Sequence, residues 1–340
     1  MSEYKAAIML SMRVWELGEF GLIDRIAGIV AELPGNDVLV GIGDDAAAWL
    51  AGGSVQLGTA DVLIEDVHFS LDRATWRDLG WKALAISISD IAAMGGVPRY
   101  AMVCLGLPRE TEVSDVEELY RGMLDIGALL DVAIVGGNVS KAPSVVIDVS
   151  MIGSASGELL RRSAALPGDR VAVTGCLGQS AAGLRVLDSE IELNTEASEF
   201  FRAAHLRPCP RVREGTILAQ QGVKAAIDLS DGLVSDLSQL CRSSGTSGII
   251  FADRLPVHPL VASTFPDSYR SLALTGGEDY ELLFTAASEV IDRVRGSMPT
   301  GIAVVGEIRE GDCGQVTVLD DNGNVVELEE KGWEHFRSLS

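Results

Sequence analysis

Carboxylates set into apolar runs constrain this chain more than any other feature of its sequence. Gly41-Ile42-Gly43-Asp44-Asp45-Ala46-Ala47 follows the run Val38 to Val40, which reads as a strand. Its glycines allow a tight turn with positive φ at low steric cost. Thr59-Ala60-Asp61 ends a second apolar run, Asp90 sits inside an apolar helical segment, and Asp228 and Asp231 flank Ser230 after a third strand-like run. An unpaired carboxylate in a core is strongly disfavoured, so these acids must meet water, a cation or a metal. Hard oxygen donors delivered from strand ends are what Mg²⁺ takes, commonly while bridging phosphate oxygens. The residues read as a magnesium-carboxylate site that handles phosphates.

The overall charge bears on that reading. The chain has 340 residues and a formal charge of −22, with only five Lys. Such a balance argues against sequence-independent nucleic-acid binding, which needs a basic surface to displace counterions. It also repels anionic substrates unless cations intervene, and metal ions at the acidic sites would resolve that conflict. Much of the remaining charge reads as solvated surface. Cys104, Cys176, Cys209, Cys241 and Cys313 are scattered and form no C-x-x-C pair, which suggests reduced thiols in a cytoplasmic protein. No apolar stretch approaches the roughly 18 to 20 residues that span a bilayer, and charges interrupt the N-terminal run before it resembles a signal segment.

Taken in order, the chain alternates helix and strand patterns. Leu17 to Leu33 has helical spacing and ends at Pro34-Gly35-Asn36-Asp37; strands are expected at Val38–Ile42 and Val55–Ala60. Thr75 can cap a long helix to Met94 that stops at Gly95-Gly96. Strand Tyr100–Leu107, helix Val113–Leu130, and strands Val132–Val135 and Val145–Ile152 complete a first half. The pattern restarts after Gly153, with strands at Val171–Thr174, Lys224–Asp228 and Ala303–Val305, and a closing hairpin turning at Asp321-Asn322-Gly323. The expectation is an α/β (α+β) chain of two domains, 1–153 and 154–340.

Several shorter motifs admit two readings. Gly175-x-x-Gly178 is a phosphate-binding turn or a plain tight turn; it lacks the third glycine of a dinucleotide fingerprint. Gly136-Gly137-Asn138 opens backbone N–H groups to a phosphate or simply turns a loop. Gly276-Gly277-Glu278-Asp279-Tyr280 is a site or a cap, and His68 is a ligand or a structural histidine. There is no P-loop, no protein-kinase signature and no G-x-S-x-G elbow.

In order and spacing, GIGDDAA, TADVLIEDVHF, ALAISISDIAAMGG, GGN, LLRRS, IDLSDGL, LTGGEDYEL and KGWEHF resemble the thiamine-monophosphate kinases. These belong to a superfamily with aminoimidazole ribonucleotide synthetase and selenophosphate synthetase. The resemblance spans about Glu19 to Phe336. It implies a two-domain PurM-like fold that dimerises through the sheet of the first domain, which would also bind ATP and Mg²⁺, with the second domain completing the cleft. It implies transfer of the γ-phosphoryl of ATP to thiamine monophosphate. Asp45, Thr59, Asp61, Asp90, Asp228 and Asp231 fall at its magnesium positions. Tyr120, Gly137, Asn138, Arg162 and Ser230 fall at its ATP positions, and His68, Glu278 and Trp333 at its substrate positions. Two residues depart from the pattern. Ala60 replaces a hydroxyl residue and leaves only a backbone carbonyl as a metal ligand. Asn138 replaces an aspartate, so one metal should be held less tightly.

The implied chemistry agrees with the residue types. A substrate phosphate oxygen is largely ionised at neutral pH, its second pKa being about 6, so no general base is required. The difficulty is to bring two anions into line, which several Mg²⁺ ions and the Arg162 fork would relieve. Two other classes stay open: another ATP-dependent enzyme of the superfamily, and a non-catalytic nucleotide or thiamine-phosphate binding protein. A metal-buffering protein is a third.

Overall fold

A computed structural model describes residues 13–328, apart from 33, 34, 36, 190, 299 and 300, together with Gly332. The expected substrate residue Trp333 lies outside the described residues. Two six-stranded sheets organise the chain. The first contains β1 (Val38–Val40), β2 (Ala47–Ala51), β3 (Ser54–Ile64), β4 (Val97–Leu107), β5 (Ala133–Lys141) and β6 (Val146–Ala155), in the order β1-β2-β3-β6-β4-β5. The second contains β7 (Arg170–Thr174), β8 (Ala225–Asp228), β9 (Ser247–Phe251), β10 (Leu282–Ala286), β11 (Ile302–Arg309) and β12 (Val316–Leu319), in the order β12-β9-β11-β7-β10-β8. Helices α1 (Val14–Leu17), α2 (Glu19–Val30), α3 (Trp76–Ala93) and α4 (Val113–Leu130) belong to the first half. The second half carries α5 (Gln179–Asp188), α6 (Thr195–Leu206), α7 (Val212–Gln220), α8 (Leu233–Ser244), α9 (Pro259–Thr264), α10 (Tyr269–Thr275) and α11 (Ser288–Ser297).

Strand and helix alternate as expected, yet the sheets are mostly antiparallel. Among the strands of the described residues, only β4–β5 and β9–β12 pair in parallel. The long antiparallel pairing of β3 with β6, from Val55 opposite Ala155 to Ile64 opposite Val146, sets which residues face inward. Asp61, Val149, Val103 and Gly137 lie in one row across four strands; Val62, Asp148, Cys104 and Asn138 lie in the next. Strand side chains alternate between faces. The buried Val103 and Val149 mark the inner face, and the exposed Val62 marks the outer one.

Helix α3 lies against the inner face and is buried almost all round, because the second half covers its other side through α7 and β8. Its N-terminus is a capping box in which the Asp78 N–H donates to the Thr75 hydroxyl. The Asp78 carboxylate also receives Arg202 and Arg207, tying the start of α3 to the far half. Helix α4 crosses α3 at two glycines. A Cβ on Gly80 would overlap the Leu119 carbonyl, and one on Gly122 would overlap the Arg77 carbonyl. Gly80→Ala is therefore expected to lower stability by about 3 kcal/mol, the upper range for overpacking. Urea unfolding checks this; an unchanged midpoint would mean that the crossing can spread at little cost.

Candidate active site

Four elements converge on one group of carboxylates. The Gly43–Asp45 turn supplies Asp45, β3 supplies Asp61, α3 supplies Asp90, and the end of β8 supplies Asp228. Oxygens of Asp45, Asp90 and Asp228 lie within 4.8 Å of one another. Asp61 joins them electrostatically, since its charge acts on both Asp90 and Asp228. Hydroxyl groups orient three of the four: Ser87 Oγ donates to Asp61 at 2.8 Å, Ser89 Oγ to Asp228 at 2.7 Å, and Thr59 Oγ1 to Asp90. The Arg162 side chain binds Asp45 Oδ1, through Nε at 3.1 Å and also through Nη2, while its backbone N–H points to Asp44.

Burial and mutual repulsion disfavour the charged forms. Burial first, then Asp148 and Asp45, push the Asp61 pKa up to about 6 against the help of Ser87. Burial and Asp45 push Asp228 to about 8, and burial with Asp61, Asp228 and Asp45 pushes Asp90 well above the carboxylate range. Asp45 is raised by burial despite Arg162. Among the described residues, Asp45 Oδ2 is fully buried and accepts no hydrogen bond. A set of hard, acid-only oxygens with one orphaned lone-pair donor is the chemistry of a divalent-cation site. The residues present fit Mg²⁺.

Beside this group lies a cavity of about 520 Å³, lined by Asp66, His68, Lys82, Ser180, His205, Ser230, Asp231 and Glu278 along with apolar side chains. The 276–280 segment borders it, held to the loop after β8 by Glu278 N–H to Ser230 O at 2.8 Å and Tyr280 N–H to Leu229 O at 2.9 Å. Tyr280 lines the cavity within electrostatic reach of the carboxylates; burial raises its phenol pKa well above 10, with Glu278 and then Asp228, Asp61 and Asp90 adding to it. Glu278 has φ +65 and Tyr280 φ +50, left-handed conformations that non-glycine residues adopt at a cost. Burial alone would raise the Glu278 pKa, but Lys82 and His205 outweigh it and lower it.

The expected residues divide by position. Asp45, Thr59, Asp61, Asp90, Arg162 and Asp228 come together; Ser230, Asp231, His68 and Glu278 line the adjoining cavity. Asn138 is exposed on β5, in the outer row with Cys104 and Asp148, and Ala60 is exposed in the outer row with Ser150 and Met102. Tyr120 packs on the first core with its hydroxyl near Cys104. No hydrogen bond joins Tyr120, Gly137 or Asn138 to the four carboxylates. Gly137 needs its small size, since a Cβ would overlap the Val103 carbonyl. Asp44 was legible as one of the paired acids of the turn, but the residues that the sequence left unassigned are Ser87, Ser89, Lys82, His205 and Asp236. Polar residues inside the apolar segment Ala83–Ala93 were the available signal for the two serines. Asp236, fully buried, accepts the N–H groups of Asp231 and Gly232 and so shapes the loop after β8.

Residues 43–155 match the family model for the AIR synthase related protein, N-terminal domain. The thiamine-monophosphate kinase of Bacillus subtilis (strain 168) is 37% identical over 329 residues, covering 94% of this chain and 100% of the relative. That of Aquifex aeolicus (strain VF5) is 36% identical over 328 residues, covering 96% and 100%. A solved structure of AaThiL complexed with AMPPCP and TMP has a TM-score of 0.84 at 35% identity, covering 96% of this chain and 99% of that one. With the carboxylate group and its cavity assembled from both halves, and with relatives this close over nearly the full length, the chain belongs to the thiamine-monophosphate kinase family.

Proposed function

We propose that the chain transfers the γ-phosphoryl group of ATP directly to the phosphate of thiamine monophosphate, giving thiamine diphosphate and ADP. The observation that carries this reading is the converging group of the buried Asp45 and Asp228 with the half-buried Asp61 and Asp90, beside a cavity large enough for a small heterocycle. Asp45, Asp61, Asp90 and Asp228 would hold Mg²⁺, with Thr59 and Asp231 beside them. The metal's chemistry there would be to neutralise phosphate charge and stabilise charge developing in the transition state.

The chain's own residues do the rest by positioning. Ser87, Ser89 and the Thr59 hydroxyl keep three carboxylates turned inward, as outer partners do in metal sites. Arg162 brings a fixed positive fork, anchored on Asp45, toward the ATP phosphates. Ser230 and Asp231 border both the carboxylates and the cavity, so the loop after β8 lies where the two substrates would meet. Nothing here needs to take a proton from the nucleophile, which is already a phosphate oxygen. His68, Glu278 and Trp333 are assigned to thiamine monophosphate, and Tyr120, Gly137 and Asn138 to ATP, by likeness to the family.

In this reading residues 1–153 bind ATP and metal and form a homodimer, while 154–340 complete the cleft. The exposed apolar side chains Val62, Tyr100 and Met102 on the outer face of the first sheet, with Val135 on its edge strand, support the dimer, since a monomer rarely leaves such a patch open. Five unpaired cysteines suit the cytoplasm. No helix among the described residues is long and apolar enough to cross a membrane.

Incubation with ATP, Mg²⁺ and either thiamine monophosphate or thiamine tests the activity. Thiamine diphosphate should form from the monophosphate alone, with one ADP per product. ADP release without thiamine diphosphate would favour another superfamily reaction, and no release would favour a binding protein. Asn138 is assigned to metal by likeness alone, so Asn138→Asp is expected to lower the Mg²⁺ concentration for half-maximal rate several-fold. An unchanged titration would remove Asn138 from the metal set.

A further inference from the structure

The cavity contains a charged pair of which the proposed function gives only one member, Glu278, a task; Lys82 has none. Lys82 is only 1% exposed although it lies inside the apolar stretch of α3, and its Nζ is 2.7 Å from Glu278 Oε1. His205 Nδ1 stands 3.4 Å from the other oxygen, Oε2, and 3.0 Å from Ser180 Oγ. A buried ammonium is tolerated only against a well-placed partner. Here the partner is a glutamate whose backbone is held in a left-handed conformation. Replacing the pair with apolar residues would remove the buried charges and a glycine at 278 would remove the backbone strain, so the position of the Glu278 carboxylate has a use that offsets both.

The geometry of α3 indicates that use. Lys82 and Ser89 are seven residues apart, which puts them on one side of the helix, about 10 Å apart along its axis. Ser89 holds Asp228 and Lys82 holds Glu278, so one helix face sets the separation between the carboxylate group and the far end of the cavity. Burial and Lys82 lower the His205 pKa to about 4, leaving it neutral. Lys82, Glu278 and His205 together then carry no net charge. Such an end of a cavity selects by hydrogen bonding and offers little to a phosphate, which belongs at the Asp228 end.

We propose that Lys82 is a positioning residue for the substrate: it fixes the Glu278 carboxylate as the hydrogen-bond acceptor for the exocyclic amine of the pyrimidine ring, at the end of the cavity away from the reacting phosphate. This rests on the assignment of thiamine monophosphate to the cavity. Lys82 holds Glu278 Oε1 as an ion pair, His205 Nδ1 is hydrogen-bonded to Ser180, and both Glu278 oxygens keep lone pairs for a ligand. Lys82 touches neither substrate in this arrangement and acts through Glu278.

A double-mutant cycle separates positioning from plain structural support. Lys82→Met, Glu278→Gln and the double variant are compared in the full-length protein. The readouts are calorimetric binding of thiamine monophosphate without ATP, KM and kcat, and the melting temperature. Glu278→Gln should weaken binding about 10- to 100-fold, the loss of a hydrogen bond to a charged acceptor. Lys82→Met should weaken it as much, with kcat within about 3-fold. The double variant loses both buried charges together and so keeps its fold; it should bind no worse than Glu278→Gln alone. The analogue bearing a carbonyl oxygen in place of the amine, an acceptor that cannot donate to a carboxylate, should be rejected by the unaltered protein and tolerated equally by all three variants. If Lys82→Met costs as much affinity in the Glu278→Gln background as it does alone, Lys82 does not act through Glu278 and the proposal is overturned. If Glu278→Gln leaves binding unchanged, the carboxylate is not the acceptor and the proposal falls with it. Failure of the unaltered protein to bind thiamine monophosphate is a different result: it removes the substrate reading itself, and this proposal with it.

Discussion

Asp90→Asn is expected to lower turnover by about 10³-fold, the scale seen when one preorganised electrostatic group is removed from a reaction centre. The substitution is nearly isosteric. Its amide oxygen can still accept the Thr59 hydroxyl, which donates to Asp90 in the native site, so the local packing survives. What disappears is one negative charge from a group in which Asp61, Asp228 and Asp45 all act on Asp90. The same change should make the metal-free protein more stable. Burial and like charges both oppose ionisation at this position, and removing even about 1 kcal/mol of that strain raises the melting temperature of a domain by about 2–4 °C. Loss of activity joined to gain of stability is the signature of a site whose charges serve function at the expense of the fold. Turnover within about 10-fold of the native value, at an unchanged Mg²⁺ requirement, would show that phosphates are handled elsewhere.

That trade also explains what could be read from the sequence. Acids at Asp45, Asp61, Asp90 and Asp228 stood out because each interrupts an apolar run, and the structure brings all four together. The strands themselves were legible for the same reason, with β8 ending on Asp228 and β3 running through Asp61. The sheet pairings were not, because whether β6 lies against β3 or β5 depends on contacts far apart in sequence. Helix α3 shows the limit clearly. Its buried residues surround the axis, so periodicity says that it is buried without saying what meets each side. Ser87 turns to the first sheet and Ser89 to the second half, a division that becomes visible only once both halves are in place. Lys82 is hidden in the same way: a lone lysine in an apolar helix gives no hint of a partner almost two hundred residues later. Asn138 and Ala60 were matched to a metal by position in a motif, and the strand register then puts both on the outer face.

The stability of the metal-free protein is expected to fall as pH rises from about 4 to about 8, and Mg²⁺ should cancel or reverse that fall. The sign follows from proton linkage. Burial first, with neighbouring charge second, raises Asp44 and Asp61 to about 6 and Asp228 to about 8, against an ordinary aspartate value of 3.8 in the unfolded chain. Between those values the folded state keeps protons that the unfolded state has released, so unfolding becomes easier with each unit of pH. These three groups are protonated in both states well below pH 4 and ionised in both well above pH 8, while Asp90, held well above the carboxylate range, carries the fall to higher pH. Two groups away from the carboxylates also contribute. Asp279, buried and raised to about 7 while capping α5, adds to the fall, and His205, buried and lowered to about 4, destabilises below the ordinary histidine value. Neither contacts the carboxylate group, so both shape the curves with and without metal alike. A divalent cation binds the ionised carboxylates of the folded state only, and protons compete with it, so its stabilisation grows as pH rises. Melting temperatures recorded from pH 4 to 9 in chelator and in saturating Mg²⁺ should therefore diverge steadily above pH 5. Parallel curves would mean that the four aspartates gather for a reason other than holding a cation.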